Sequence, residues 1–210
     1  MLGPNLLRLP PAAALRREVS LTLDDGPDPE VTPAVLELLD RYGARASFFC
    51  IGERVRRYPD LCRDIVARGH SIENHTQHHS HWFSFLGMRG FEREIGAGQE
   101  TITSIAGQRP VFFRAPAGLR NPLLEPVLAR LGLRLAAWTR RGFDTVTQDS
   151  ATVAHRLLRG LAATDILLLH DGNSARSTSG ARVVLEVLPR VLEGMAARGL
   201  KSVTLREGTR

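Results

Sequence analysis

The sequence predicts a single α/β domain, a (β/α) barrel of about seven parallel strands. Three observations lead there. From residue 19 onward, short apolar runs alternate with stretches of helical periodicity, a pattern that implies parallel pairing through right-handed crossovers. Nearly every residue suited to chemistry stands at the C-terminal end of one of those runs. In a barrel, such ends converge on one mouth. The chain has 210 residues, 43% of them apolar, which suits one large domain with a real core.

Residues 1–18 read as an N-terminal extension and 19–210 as the domain. Val19–Leu23 is the first strand. A helix follows over Thr32–Arg41, with Val35, Leu36, Leu38 and Leu39 on one broad face. Ala46–Ile51 is a buried strand ended by Gly52. Asp60–Arg68 is a helix with Pro59 near its start, stopped by Gly69. His70–Asn74 is a short strand, Phe91–Ala106 a helix closed by Gly107, and Val111–Arg114 a strand. Asn121-Pro122 starts the next helix, asparagine as cap and proline as first helical residue, and Gly132 ends it. Arg134–Trp138 is a strand, Ala151–Leu161 a helix, and Ile166–Leu169 a wholly apolar strand. Gly180–Arg198 is helical with an interruption at Pro189, Gly199 stops it, and Ser202–Leu205 is the last strand.

The net charge is +6, and every basic residue except Lys201 is arginine. The arginines are scattered among acidic residues on the helices, which reads as a solvated basic surface rather than a nucleic-acid footprint. Cys50 and Cys62 lie in apolar stretches without a CxxC partner and read as free, buried thiols. No run approaches the ~20 apolar residues that span a bilayer. MLGPNLLRLPPAAALRR resembles a signal peptide only faintly, its apolar run being broken by Arg8, Pro10 and Pro11. The sequence as written predicts cytoplasmic residence, or a periplasmic or cell-surface place where an N-terminal signal or anchor has been removed.

Four motifs carry chemistry. In Thr22-Leu23-Asp24-Asp25-Gly26-Pro27-Asp28 a strand delivers two adjacent carboxylates to a turn. One can bind a metal while the other stays free as a base, although Asp-Gly and Gly-Pro also simply make turns. In Asn74-His75-Thr76-Gln77-His78-His79 the spacing of His75 and His79 puts two imidazoles on one face of a helical turn, a common zinc arrangement. A zincin-type peptidase needs glutamate after the first histidine, where this chain has Thr76. Residues 70–81 hold five of the seven histidines, and His70, His78 and His81 read as structural or surface groups. Two histidines and one carboxylate leave a metal position open for water, the mark of a catalytic site. Arg114, before the stiff loop Ala115-Pro116-Ala117-Gly118, can reach a carboxylate, and the loop can offer an N–H to an oxyanion. In Leu167-Leu168-Leu169-His170-Asp171-Gly172 a histidine closes an apolar strand. Asp144 is a candidate for keeping it protonated, and Asp171 competes.

In this order the motifs resemble the polysaccharide deacetylase family, the NodB homology domain of carbohydrate esterase family 4, from about Val19 to Leu205. The resemblance implies a distorted (β/α) barrel. It implies Asp24 as catalytic base, and Asp25, His75 and His79 as ligands of Zn2+ or another divalent transition metal such as Co2+. Ser47-Phe48-Phe49-Cys50-Ile51-Gly52 matches a structural signature. Arg114 would orient the base, Ala117 would lend its N–H to the oxyanion, Leu168 would line the acetyl pocket, and His170, paired with Asp144, would be the general acid. The fourth motif departs from the family: Trp138 is followed by Thr139-Arg140-Arg141-Gly142-Phe143-Asp144, and Thr145 and Ala117 stand where aromatic residues are frequent.

The implied activity is metal-dependent removal of acetyl groups, N-acetyl first, from a carbohydrate such as chitin oligomers or peptidoglycan. Deacetylation or deformylation of a small or lipid-linked amino sugar is the alternative. A carbohydrate- or nucleic-acid-binding module that kept the fold is the non-enzymatic one.

Overall fold

A computed structural model describes residues 5–210, and its central strand is β1 (Glu18–Asp24). Residues 1–4 of the expected extension lie outside the described residues. Val19, Leu21 and Leu23 of β1 enter the main hydrophobic core. Ser20, Thr22 and Asp24 face the other way, as the period of two in a strand requires. The Ser20 hydroxyl donates to the Val203 carbonyl, and the Thr22 hydroxyl accepts from Arg114.

Strands β2 (Ala46–Cys50) and β7 (Ile166–His170) flank β1. Outward from β2 come β3 (Ser71–Asn74), β4 (Phe112–Phe113) and β5 (Arg134–Leu135), and beyond β7 lies β6 (Arg140–Arg141). All pairings among them are parallel, and these seven strands curl into a half-barrel. A short β8 (Lys201–Ser202) pairs with the start of β1. The edge at β5 is covered by the N-terminal segment: Leu6 N donates to the Leu135 carbonyl at 2.8 Å, and Ala137 N to that of Leu6 at 2.9 Å. Leu6, Leu9 and Ala13, the last on α1 (Pro11–Leu15), are buried with Phe49, Phe112 and Ile166.

The outer layer comprises α2 (Thr32–Arg41), α3 (Gly52–Arg57), α4 (Pro59–Ala67), α5 (Met88–Ala106), α6 (Leu124–Leu131), α7 (Ser150–Leu158) and α8 (Val183–Ala197). A short α9 (Leu205–Gly208) follows β8. Burying each large apolar side chain of this layer against the sheet contributes about 1.5–3 kcal/mol. No helix among the described residues is long and apolar enough to cross a membrane. Cys50 and Cys62 are free and buried, and burial pushes both thiols up, Cys62 to about 12.

Several boundaries differ from expectation. Gly52 does not merely end a strand but opens α3, where a Cβ would meet the Gln77 side-chain oxygen at 2.2 Å. Asn121 and Pro122 form a turn ahead of α6, with the Asn121 side-chain oxygen accepting from Leu123 N at 2.9 Å. Pro189 does not interrupt α8, because seven buried residues hold that helix against the core and packing outweighs the missing N–H. The expected strand Arg134–Trp138 is shortened to β5, and β6 forms only after it. The expected Ser202–Leu205 strand stops at Ser202, because Thr204 and Glu207 form a reciprocal capping box that starts α9.

Candidate active site

Asp24 ends β1 on the inner side of the half-barrel, below its mouth. Asp25, one residue later, belongs to the opposite face by alternation. Its φ of 73° turns it back, so both carboxylates line one cavity of about 200 Å³. Arg114, just past β4, is 1% exposed and donates to Asp24 Oδ1 at 2.6 Å. It also donates to Thr22 Oγ1 at 2.8 Å and to the Ala137 carbonyl at 3.0 Å, and its guanidinium lies 4.0 Å from the Phe49 ring centroid. Burial lowers the Arg114 pKa, opposed by the charge of Asp24.

His75 and His79 do not lie on a helical turn. The chain leaves β3 at Asn74, and Thr76 and His79 adopt φ of 70° and 54°. The resulting loop places the two rings 4.8 Å apart. Thr76 anchors it: its N–H donates to Asn74 Oδ1, and its hydroxyl accepts from His79 N. Non-glycine residues in the left-handed region cost of order 1 kcal/mol or more and collect at functional sites. Five of the seven among the described residues, Asp25, Thr76, His79, Ala117 and Phe143, fall on the loops around this cavity.

Asp25 Oδ1 lies 3.2 Å from Nε2 of His75 and 3.2 Å from Nε2 of His79, and no hydrogen-bond donor satisfies it. His75 Nδ1 lies 2.8 Å from the Arg114 carbonyl. A carbonyl only accepts, so Nδ1 carries the proton and Nε2 presents its lone pair inward. Asp25 Oδ2 accepts from Asn173 Nδ2 at 2.9 Å, which leaves Oδ1 free to serve as a ligand atom. Three ligand atoms within 4.8 Å of one another, with one buried oxygen orphaned, fit a divalent metal. Burial alone would raise the Asp25 pKa, but the adjacent imidazoles of His75 and His79 outweigh it and hold the carboxyl well below its usual range. His75 is raised by the two aspartates against burial, whereas burial and the charge of His75 lower His79.

Across the same cavity His170, at the end of β7, has Nδ1 2.9 Å from Asp144 Oδ1, and its backbone N–H donates to Asp144 Oδ2 at 2.8 Å. Nδ1–H points at the carboxylate, so Nε2 is the titrating nitrogen. Burial lowers the His170 pKa, but the hydrogen bond and charge of Asp144 overcome it and the net shift is upward. Asp171, the competing candidate, is buried elsewhere: Thr32 donates to it at 2.5 Å, and burial pushes its carboxyl up to about 7. Leu168 and Ala117 line the cavity too. Among the other histidines, His70 is buried against Ala46 and Phe48, and His78 pairs with Glu94.

The sequence pattern of the polysaccharide deacetylase family matches residues 13–136. The chain belongs to that family. It is 32% identical to a peptidoglycan-N-acetylglucosamine deacetylase of Bacillus cereus, over 90% of this chain and 86% of that protein. A chitooligosaccharide deacetylase of Azorhizobium caulinodans is also 32% identical, covering 86% of this chain and 89% of its own. Among solved structures, a family 4 carbohydrate esterase from Streptomyces lividans, in complex with acetate, superposes with a TM-score of 0.80 at 30% identity over 91% of this chain and 95% of that one.

The sequence reading of this deacetylase-family chain missed Asn173, which orients Asp25, and Phe49 and Thr22, which hold Arg114. The alternation of β1 could have flagged Thr22, two residues before Asp24. Nothing in Asp171-Gly172-Asn173 separates Asn173 from an ordinary turn residue.

Proposed function

We propose that this polysaccharide deacetylase binds Zn2+ at Asp25, His75 and His79 and removes N-acetyl groups from a glycan containing N-acetylglucosamine, such as peptidoglycan or a chitin oligomer. One observation carries the reading: a carboxylate held by Arg114 and an imidazole held by Asp144 line the cavity that contains the three metal-ligand atoms. A binding module needs neither a base nor an acid beside a metal. The likeness to the Bacillus and Azorhizobium deacetylases supports the substrate class.

A metal bound there supplies Lewis acidity, polarising the acetyl carbonyl and acidifying the water that attacks it. Asp24 takes the proton of that water as its oxygen bonds to the carbonyl carbon. Arg114 fixes the Asp24 oxygen that accepts from it and leaves Oδ2 for the water. Ala117, with φ of 53°, lines the cavity where its N–H serves the oxyanion. One such donor is worth about 3 kcal/mol. The C–N bond then breaks, and His170 Nε2–H protonates the departing nitrogen. The products are acetate and a free amine. The test is acetate release from N-acetylglucosamine oligomers, peptidoglycan and acetylated xylan by zinc-loaded and chelator-treated protein. Release from the first two that depends on zinc is expected, and no release from any of them with zinc bound overturns the reading.

A further inference from the structure

Arg141 is a charged residue of the cavity whose charge the reaction leaves unused. Asp24 is matched by Arg114, Asp25 by two histidines, and His170 by Asp144. No carboxylate among the described residues pairs with Arg141. It stands on β6 in register with Leu168 of β7. Residues paired in register project to the same face of a sheet, and both side chains line the cavity.

The Arg141 guanidinium is held rather than free. Its central carbon lies 4.8 Å from the Phe143 ring centroid and 5.5 Å from that of Trp138. Aromatic faces stabilise the cation and fix its plane, but they leave its in-plane N–H donors without acceptors. Nε is buried and has no hydrogen-bond partner. A ligand oxygen cannot reach that enclosed atom, but the two terminal nitrogens are not enclosed and make no hydrogen bond within the described residues, so their N–H donors are available to a ligand. Thr145 lines the same cavity and adds a hydroxyl donor.

We infer that Arg141, with Thr145, forms an anion subsite, so that the preferred substrate carries a carboxylate or phosphate on the acetylated sugar or its neighbour. This inference rests on the deacetylase reading above only for the word substrate. The guanidinium fork matches either anion in bidentate fashion, and the small cavity, about 200 Å³, keeps that anion close to the acetamido group.

Calorimetric binding to the zinc-loaded protein tests it. The probes are two matched pairs. The N-acetylglucosamine tetramer is set against a tetramer alternating N-acetylglucosamine with glucuronate, and N-acetylglucosamine against its 1-phosphate. In at least one pair the charged member should bind about tenfold more tightly, the contribution of one charge-assisted hydrogen bond. The pair that shows the advantage identifies the anion. Arg141→Gln should abolish that advantage, Arg141→Lys should keep part of it, Thr145→Val should reduce it, and added salt should shrink it. Equal affinity within both pairs in the wild type, or an advantage that survives Arg141→Gln, overturns the inference. Acetate release from the same probes is read separately. No release from any of them, with the charged advantage intact, would overturn the catalytic reading and leave the anion subsite standing.

Discussion

Arg114 Nη1 donates to Asp24 Oδ1 at 2.6 Å, and both side chains are buried beneath the cavity. A dry ion pair adds little net stability, because the desolvation of its partners offsets their attraction. Its consequence is positional. One Asp24 oxygen is occupied, and the carboxylate is held beside the proposed metal ligands, with Oδ2 3.9 Å from His75 Nε2.

Removing one partner of such a pair is costly even though making it gains little. Arg114→Met strands the Asp24 carboxylate and should cost about 3–5 kcal/mol, read by urea unfolding. Arg114→Lys cannot reproduce the contacts to Thr22 and Ala137 and should fall between that variant and the wild type. Unchanged unfolding midpoints in both would refute the role.

His170 as the proposed general acid should set the alkaline side of the activity profile. Its pKa is raised in the fold, so the acid form persists above the ordinary histidine range near ~6.5. It disappears as pH climbs through the folded value. The stabilisation from its pairing with Asp144 follows the same window, complete below ~6.5 and lost as pH rises through the folded value. Asp144→Asn removes the groups' attraction and leaves burial, so the alkaline limb of kcat/KM should move to lower pH. A limb unmoved in Asp144→Asn would assign it to another group.

Asn173 should govern metal affinity without touching the metal. It donates to Asp25 Oδ2 and so aims Oδ1. Losing such an outer contact typically weakens binding about 10–100-fold. Competition with a zinc chelator should show Asn173→Ala weaker than wild type by that factor and His79→Ala weaker still. Equal affinity in Asn173→Ala would mean Asp25 needs no positioning.

Part of this site was legible in the sequence because strand geometry is local. The run Val19-Ser20-Leu21-Thr22-Leu23-Asp24 alternates apolar and polar residues, and period two alone puts Asp24 with Thr22 on the inner face. Sequence spacing singled out His75 and His79 but gave the wrong local structure. Their convergence comes from positive φ at Thr76 and His79; histidine adopts that conformation more readily than most residues, but β-branched threonine does not announce it. The start of α9 was written plainly as Thr204-Leu205-Arg206-Glu207, a capping-box pattern the strand reading passed over. Asn173, Phe49 and Arg141 acquire meaning only from tertiary neighbours, which no local pattern encodes.

His70 should make the fold acid-sensitive independently of the site. It is buried, its Nδ1 accepts from Ala46 N at 3.3 Å, and burial holds its pKa down at about 4. With an unfolded value near ~6.5, its contribution is complete above that pH and fades as pH falls toward the folded value, at most about 3 kcal/mol in all. His70→Asn keeps an acceptor without the titration. Its unfolding midpoint should change less between about pH 7 and about pH 4.5 than that of the wild type.

The central claim is that Asp24 is the base and Asp25 the ligand, and Asp24→Asn tests it most directly. Zinc content and acetate release from an N-acetylglucosamine oligomer should be measured on the same folded sample. The account predicts wild-type zinc content with acetate release down by about 10²–10⁴-fold. Full acetate release by the zinc-loaded variant would contradict it.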